Sequence, residues 1–167
     1  DYFLRYLNIV EGSGREAELG PAYLTMSHVL LEMKDYPQAK TYAERALQMC
    51  LSTGFQRMLP SVWLTLGVTA AEMDNLEAAS RYYDEGIVTA QVSQAKSSMI
   101  ELLWYRGDAR MRRGDFGSAY TDLREALSLA RENRILYFLC EISTALSRWH
   151  LHQNQVEAAR APLLEAL

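Results

Sequence analysis

Residues that break helices or cross-link a chain are scarce in this 167-residue sequence. Four prolines and nine glycines leave room for long helices, and two cysteines, Cys50 and Cys140, are too few for a disulfide framework. We expect both cysteines to be buried or half-buried free thiols in a reducing compartment. No apolar run is long enough to cross a bilayer and no signal-peptide pattern is present, which predicts a cytoplasmic location without membrane contact. The formal net charge of −4 argues against nucleic acid as a partner.

Small residues, in contrast, recur at a fixed interval of 40 along the chain. One set consists of alanines, each preceded three positions earlier by a bulky apolar residue: Ala39, Ala79, Ala119 and Ala159, after Tyr36, Leu76, Phe116 and Val156. Two further sets of small residues keep the same phase: Ser27, Gly67, Gly107 and Ser147, and then Ala46, Gly86, Ala126 and Ala166. A repeat of this length is typical of proteins built from stacked supersecondary units.

Each unit is predicted to be a pair of helices, because apolar residues within it are spaced by three and four positions. The first helix of each pair, helix A, is expected at about 16–33, 56–73, 96–113 and 136–153, with helices B between them. Asp35, Asn75 and Asp115 stand where they can cap the helices B. Softer breaks are expected near Gly14, Gly54, Ser93 and Asn133. The small residues are expected where two helices cross closely.

The chain is divided on this basis into one domain of successive repeats. We predict the end of a preceding repeat at 1–14, full repeats at 15–54, 55–94 and 95–134, and a truncated fourth repeat at 135–167. Both ends read as cuts inside a longer protein, and uncapped ends would allow oligomers.

Two segments carry a resemblance to the tetratricopeptide repeat. Trp63-Leu64-Thr65-Leu66-Gly67 matches its W-x-x-L-G opening, and the segment from Gly114 to Leu127 matches its G-D-F-x-x-A…A-L second half. The period of 40 instead of 34 resembles the long-helix variants found in MalT-like and LGN-like domains. The resemblance implies an all-α, right-handed superhelix of about four antiparallel helix pairs.

The resemblance also implies a partner-binding groove lined by helices A. The corresponding positions in this sequence are Leu24, His28, Leu31, Leu64, Val68, Glu72, Trp104, Asp108, Met111, Arg112, Thr144, Arg148, Leu151 and His152. Family members that clamp a peptide carboxylate carry Lys and Asn where this chain has apolar residues and His28, so no such clamp is expected. The expected occupant is an amphipathic helix or hydrophobic segment with an acidic residue near Arg148, or equally another part of the parent chain.

Other chemistry is not predicted. His150 and His152 lie two residues apart, on different sides of a helix, so no metal site is expected, nor any cofactor. Arg106, Arg110 and Arg113 form a basic stripe that would suit a phosphate or nucleic acid. The favoured interpretation is a solvated stripe or an intramolecular ion-pair network, with Glu101, Asp108, Asp122 and Glu125 as available neighbours. No nucleophile elbow, phosphate-binding loop or paired carboxylates indicate an enzyme.

Three functions remain open at this point. The first is a non-catalytic scaffold that binds a protein or peptide as part of a larger protein. The second is the ligand- or peptide-sensing domain of a cytoplasmic, MalT-like transcription regulator, which the period of 40 favours mildly. The third is a regulatory domain attached to an enzyme such as a kinase.

Overall fold

The computed structural model of the protein describes residues 2–12 and 16–164. These ranges contain helices and no strand. The α-helices are α1 Tyr2–Gly12, α2 Glu16–Glu32, α3 Tyr36–Thr53, α4 Leu59–Glu72, α5 Leu76–Ser93, α6 Lys96–Arg112, α7 Phe116–Glu132, α8 Leu136–His152 and α9 Arg160–Leu164. The predicted break at Gly14 and the predicted small residue Ala166 lie outside the described residues.

Each helix packs against the next one along the chain, and the even-numbered helices from α2 to α8 also contact one another in succession. Each helix contacts its successor, while α2 contacts α4, α4 contacts α6 and α6 contacts α8. Helices α2, α4, α6 and α8 are the predicted helices A. This stacking of helix pairs is the predicted all-α superhelix.

Turns within the pairs repeat the same backbone conformation. Lys34, Asp74, Gly114 and Asn154 all have positive φ, between 56° and 81°. In three of the four turns, the residue directly after the one with positive φ caps the following helix, as predicted. Asp35, Asn75 and Asp115 each accept a hydrogen bond from the backbone N–H three residues later, at 3.1–3.3 Å.

The small residues lie where helix A crosses helix B, as the spacing predicts. The Ser27 hydroxyl donates a hydrogen bond of 2.7 Å to the Ala39 carbonyl oxygen on the facing helix. One repeat further on, a Cβ on Gly107 would lie 3.3 Å from the Ala119 carbonyl oxygen and 2.9 Å from Leu123 Cγ. The backbones therefore approach so closely that a larger side chain at these positions would push the two helices apart.

One layer of the core is ionic. Asp122 on α7 is 2% exposed and accepts two hydrogen bonds from Arg106, at 2.7 and 3.0 Å, and one of 2.7 Å from Arg110. Arg106 also donates to Asp84 at 2.6 Å. Two guanidinium groups and two carboxylates balance each other, so Arg106 and Arg110 form an intramolecular ion-pair network, one of the two predicted alternatives. Arg113, the third member of the stripe, is exposed.

The fourth pair departs from the predicted pattern. Its helix B is reduced to α9, and Val156, the expected apolar anchor of that helix, is 62% exposed. Gln155 stands at the position of Asp35, Asn75 and Asp115, and glutamine is a poor N-cap. Cys50 is buried as expected, whereas Cys140 is exposed, and both thiols are free.

Pair two differs in a smaller way. Its helix A was expected from about residue 56, but Gln56–Met58 form a single 3-10 turn and α4 begins at Leu59. Pro60 favours this start, because it lies in the first turn of α4, where its missing N–H costs no hydrogen bond.

A methyl group at the second crossing is predicted to destabilise the fold. A Cβ on Gly67 would overlap the ring of Tyr83, which is fully buried. We expect Gly67→Ala to lower the free energy of unfolding by about 1–3 kcal/mol in urea denaturation. Gly117→Ala is the matched control, because a Cβ there meets nothing within 4 Å, and it should be neutral or stabilising. Equal stability of the two variants would contradict the assigned crossing.

Loss of the buried charge on Asp122 is predicted to be more costly. Asp122→Asn leaves Arg106 and Arg110 facing each other without their shared carboxylate, and we expect a loss of about 3 kcal/mol in unfolding free energy. Asp84→Asn removes one bond to the same arginine at a half-exposed site and should cost at most about 1 kcal/mol. Similar losses in the two variants would show that burial is not what makes this cluster important.

Candidate partner-binding groove

A groove of about 490 Å³ opens where α2, α4 and α6 come together. Five of the predicted groove residues line it: His28, Leu31, Leu64, Val68 and Glu72. The leucines and the valine are half-buried and form an apolar wall on two successive helices A. The structure thus gathers five of the six predicted positions of the first two repeats around one cavity.

Other predicted positions lie away from this cavity. Leu24 is 8% exposed and packs in the core beside Leu59 and Val62, so it presents little surface to a partner. On α6, Trp104, Asp108 and Met111 are half-buried and Arg112 is exposed. The positions on α8 are all exposed: Thr144, Arg148, Leu151 and His152.

Arg148, which was predicted to lie near an acidic residue of the partner, already has an internal partner, and so does Arg112. Arg148 Nη2 lies 3.2 Å from Asp108 Oδ1 on the preceding helix A. Arg112 Nη2 donates to the Ala71 carbonyl oxygen at 2.9 Å and lies 3.4 Å from Asp74 Oδ1. This end of the predicted groove is therefore neutralised by the chain itself.

Several lining residues were missed by the sequence analysis. Glu101 and Tyr105 extend the stripe of Asp108 and Arg112 by two turns toward the start of α6, and this helical spacing was a usable signal. Ser61, Thr65, Glu32, Lys34 and Tyr36 complete the lining.

His28 is held in one orientation by α4. Its Nε2 lies 2.8 Å from Thr65 Oγ1, and that hydroxyl donates its own proton to the Ser61 carbonyl oxygen at 2.8 Å. The Thr65 hydroxyl thus links the His28 ring to the backbone of α4. Partial burial lowers the pKa of His28 and outweighs the nearby Glu32, so the ring is neutral at pH 7.

The charged groups that line the groove are mainly acidic. Glu32, Glu72 and Glu101 face a single ammonium group, that of Lys34. Glu72 accepts a hydrogen bond of 3.1 Å from the Tyr36 hydroxyl. Burial raises the pKa of Glu101, the most enclosed of the three carboxyl groups. Electrostatically this cavity suits a cation; the acidic residue of the partner was predicted near Arg148, which does not line the cavity.

A buried hydroxyl lies beneath this site. Tyr83 is fully buried, and its hydroxyl finds no hydrogen-bond partner in the part of the chain that the structure describes. Burial and the neighbouring Tyr105 and Asp108 raise its pKa well above the ordinary tyrosine range. The phenol is neutral and serves to fill the space left by Gly67.

Residues 2–12 and 16–164 offer no metal centre. No group of three or more His, Cys, Asp or Glu side chains is close enough there to hold an ion. His150 interacts with Gln155 at 2.9 Å, whereas the His152 ring packs on Phe116 with centroids 5.7 Å apart. No helix in these ranges is long and apolar enough to cross a membrane.

Comparison with known proteins identifies the repeat class. Residues 20–52, which cover most of α2 and α3, match the family model of the tetratricopeptide repeat. This segment is thus a tetratricopeptide repeat, and the following pairs continue its fold. No curated protein matches the sequence.

Two solved structures share the fold closely. Aspartyl phosphate phosphatase F from Bacillus subtilis superposes with a TM-score of 0.84 at 15% identity, over 89% of this chain and 39% of that chain. BtubC from P. vanneervenii superposes with a TM-score of 0.78 at 17% identity, over 90% of this chain and 63% of that one. This chain spans less than two thirds of either, and at such identities the likeness shows the fold alone.

Neutralising Glu101 is predicted to stabilise the protein in a pH-dependent way. Because folding raises the pKa of Glu101, the stability linked to this group is present below the ordinary glutamate pKa and is lost as pH rises through the folded pKa. We expect Glu101→Gln to exceed wild type in unfolding free energy at about pH 8, with a gap that narrows toward about pH 5. Glu85 is an exposed residue on α5. The difference in unfolding free energy between Glu85→Gln and wild type should therefore not change with pH. A gap that widens on acidification would contradict the burial of Glu101.

Proposed function

We infer that this chain is a non-catalytic scaffold segment of a larger protein that binds a protein or peptide in the groove between α2, α4 and α6. Tetratricopeptide-type solenoids characteristically present extended concave surfaces for binding. The observation that carries the proposal is the apolar wall of Leu31, Leu64 and Val68, which two successive helices A, α2 and α4, present to one open cavity. We propose a cytoplasmic location for the parent protein.

The shape and chemistry of the groove support a peptide segment as the occupant. The cavity combines half-buried aliphatic side chains with hydrogen-bonding groups such as the Ser61 hydroxyl and the Tyr36 hydroxyl. Such a mixture of an apolar surface and a few oriented polar groups is the usual composition of a recognition site. A segment of the parent chain outside these 167 residues would satisfy the same surface, and it is an alternative occupant of the same kind.

The proposal is tested by selecting random peptides displayed on phage against the 167-residue chain. We expect enriched peptides to bind wild type and to bind Leu64→Asn/Val68→Thr about tenfold or more weakly in fluorescence anisotropy, because the apolar wall is lost. The helical circular dichroism of the variant should remain that of wild type.

A second cavity supplies the matched control. It measures about 550 Å³ and is lined by Val88 and Val92 on α5. Val88→Thr/Val92→Thr should leave the affinity of the selected peptides unchanged. Two results would place the binding surface elsewhere. In the first, the peptides bind the groove variant as tightly as wild type; in the second, the α5 variant weakens their binding instead.

The sensing-domain alternative has one observation in its favour. The groove volume of about 490 Å³ falls within the range that small-molecule sites occupy, roughly 300–1,000 Å³. A metabolite that raises the melting temperature of wild type, but not of the Leu64→Asn/Val68→Thr variant, would favour this alternative. The third function, a regulatory domain attached to an enzyme, has no feature of its own in the described ranges.

A further inference from the structure

We propose that the groove selects partner segments in which a lysine or arginine side chain lies beside an apolar one, and that Glu101 is the residue that binds the cation. This inference rests on the proposed function, because it specifies the chemistry of the occupant of the same groove.

The Glu101 carboxylate is the first reason. It lies half-buried in the wall of the groove, and among the described residues no hydrogen bond or ion pair engages it. A carboxylate that loses water without gaining a partner is unfavourable, and proteins normally pair such groups. A cationic side chain from a partner would supply the missing interaction.

The second reason is that the fold does not require a carboxylate at this position. The equivalent residues one and two repeats earlier are Ser61 on α4 and Pro21 on α2. Both helices pack in the same way as α6 without a charge there. Glu101 is therefore not needed for stacking, in contrast to Asp122, whose charge is matched by Arg106 and Arg110.

Among the three glutamates that line the groove, Glu32 and Glu72 are exposed to water, whereas Glu101 is half-buried without a counter-ion in the described part of the chain. Asp108 is bound by Arg148, and Arg112 is bound by Asp74, so these groups leave little charge for a partner. Burial raises the pKa of Tyr105, and the carboxylates of Glu101 and of Glu141, its equivalent on α8, raise it further. Both carboxylates therefore add negative potential at this ring.

Neighbouring side chains suit the rest of a basic residue. The Tyr105 ring lines the cavity together with Glu101, and an aromatic face attracts guanidinium and ammonium groups. Leu64 and Val68 provide apolar surface for the aliphatic part of a lysine or arginine side chain. The same wall can contact an adjacent apolar residue of the partner. A partner segment therefore needs both a basic and an apolar side chain.

The experiment uses the peptides selected on the full 167-residue chain. We expect a lysine or arginine next to an apolar residue to be enriched among peptides that depend on the groove. The Glu101→Gln change should lower the affinity for such a peptide about tenfold. Replacing the peptide arginine by neutral citrulline should lower the affinity by the same factor. The two changes together should cost little more than either alone, because they remove one interaction.

Controls separate this interaction from general electrostatics. Glu85→Gln removes the same charge from an exposed position on α5 and should leave affinity unchanged. Glu101→Lys should weaken binding of the arginine peptide more than Glu101→Gln does. Replacing the peptide arginine by glutamate should restore binding to the Glu101→Lys variant. Wild-type affinity should fall as salt increases, and the Glu101→Gln complex should depend less on salt.

The outcomes distinguish this inference from the proposed function. Groove-dependent peptides without basic residues, or additive effects of Glu101→Gln and citrulline, would overturn the inference while the scaffold function stands. An absence of any groove-dependent peptide would overturn both. Enrichment of basic peptides that bind Glu101→Gln as well as wild type would assign the cation to another carboxylate and refute the role of Glu101.

Discussion

The close crossing of helix A on helix B is the constraint on which the rest of the structure depends. Ser27 touches the Ala39 carbonyl group directly, and Gly107 lies so near Ala119 that no larger residue fits. Because each crossing fixes the distance between two helices, it also fixes where the next pair can stack. The shape of the groove is thus a consequence of small residues that never contact a partner.

Residues that share a repeat position need not share a role. His28, Val68 and Asp108 occupy the same position on successive helices A, yet they make different interactions. His28 is held by Thr65, Val68 forms the apolar wall, and Asp108 is bound by Arg148. The repeat sets only where a side chain lies. Its chemistry is free to vary, because stacking relies on other faces of the helix, and this freedom gives a regular scaffold an individual binding surface.

Internal pairing separates structural charges from charges available to a partner. Arg106 and Asp122 stand where the preceding repeat has Leu66 and Tyr82, so an ion pair replaces apolar packing, and it is complete within the chain. Glu101 has no such complement. A solenoid that keeps an unpaired, partly buried carboxylate gives up some stability at neutral pH, and binding of a cation offsets that loss. Stability and recognition therefore oppose each other at this one residue.

The amino-acid sequence by itself determined the helix pairs, their caps and their crossings, because these depend on local backbone preferences and on side-chain size at a fixed period. Asp35, Asn75 and Asp115 act within three residues of their own position. Only the tertiary structure decided which side chains face the groove and which are already paired. Curvature of the stack brings Glu101 toward residues of α2 and α4 far away in sequence, and such long-range proximity leaves no periodic signal along the chain.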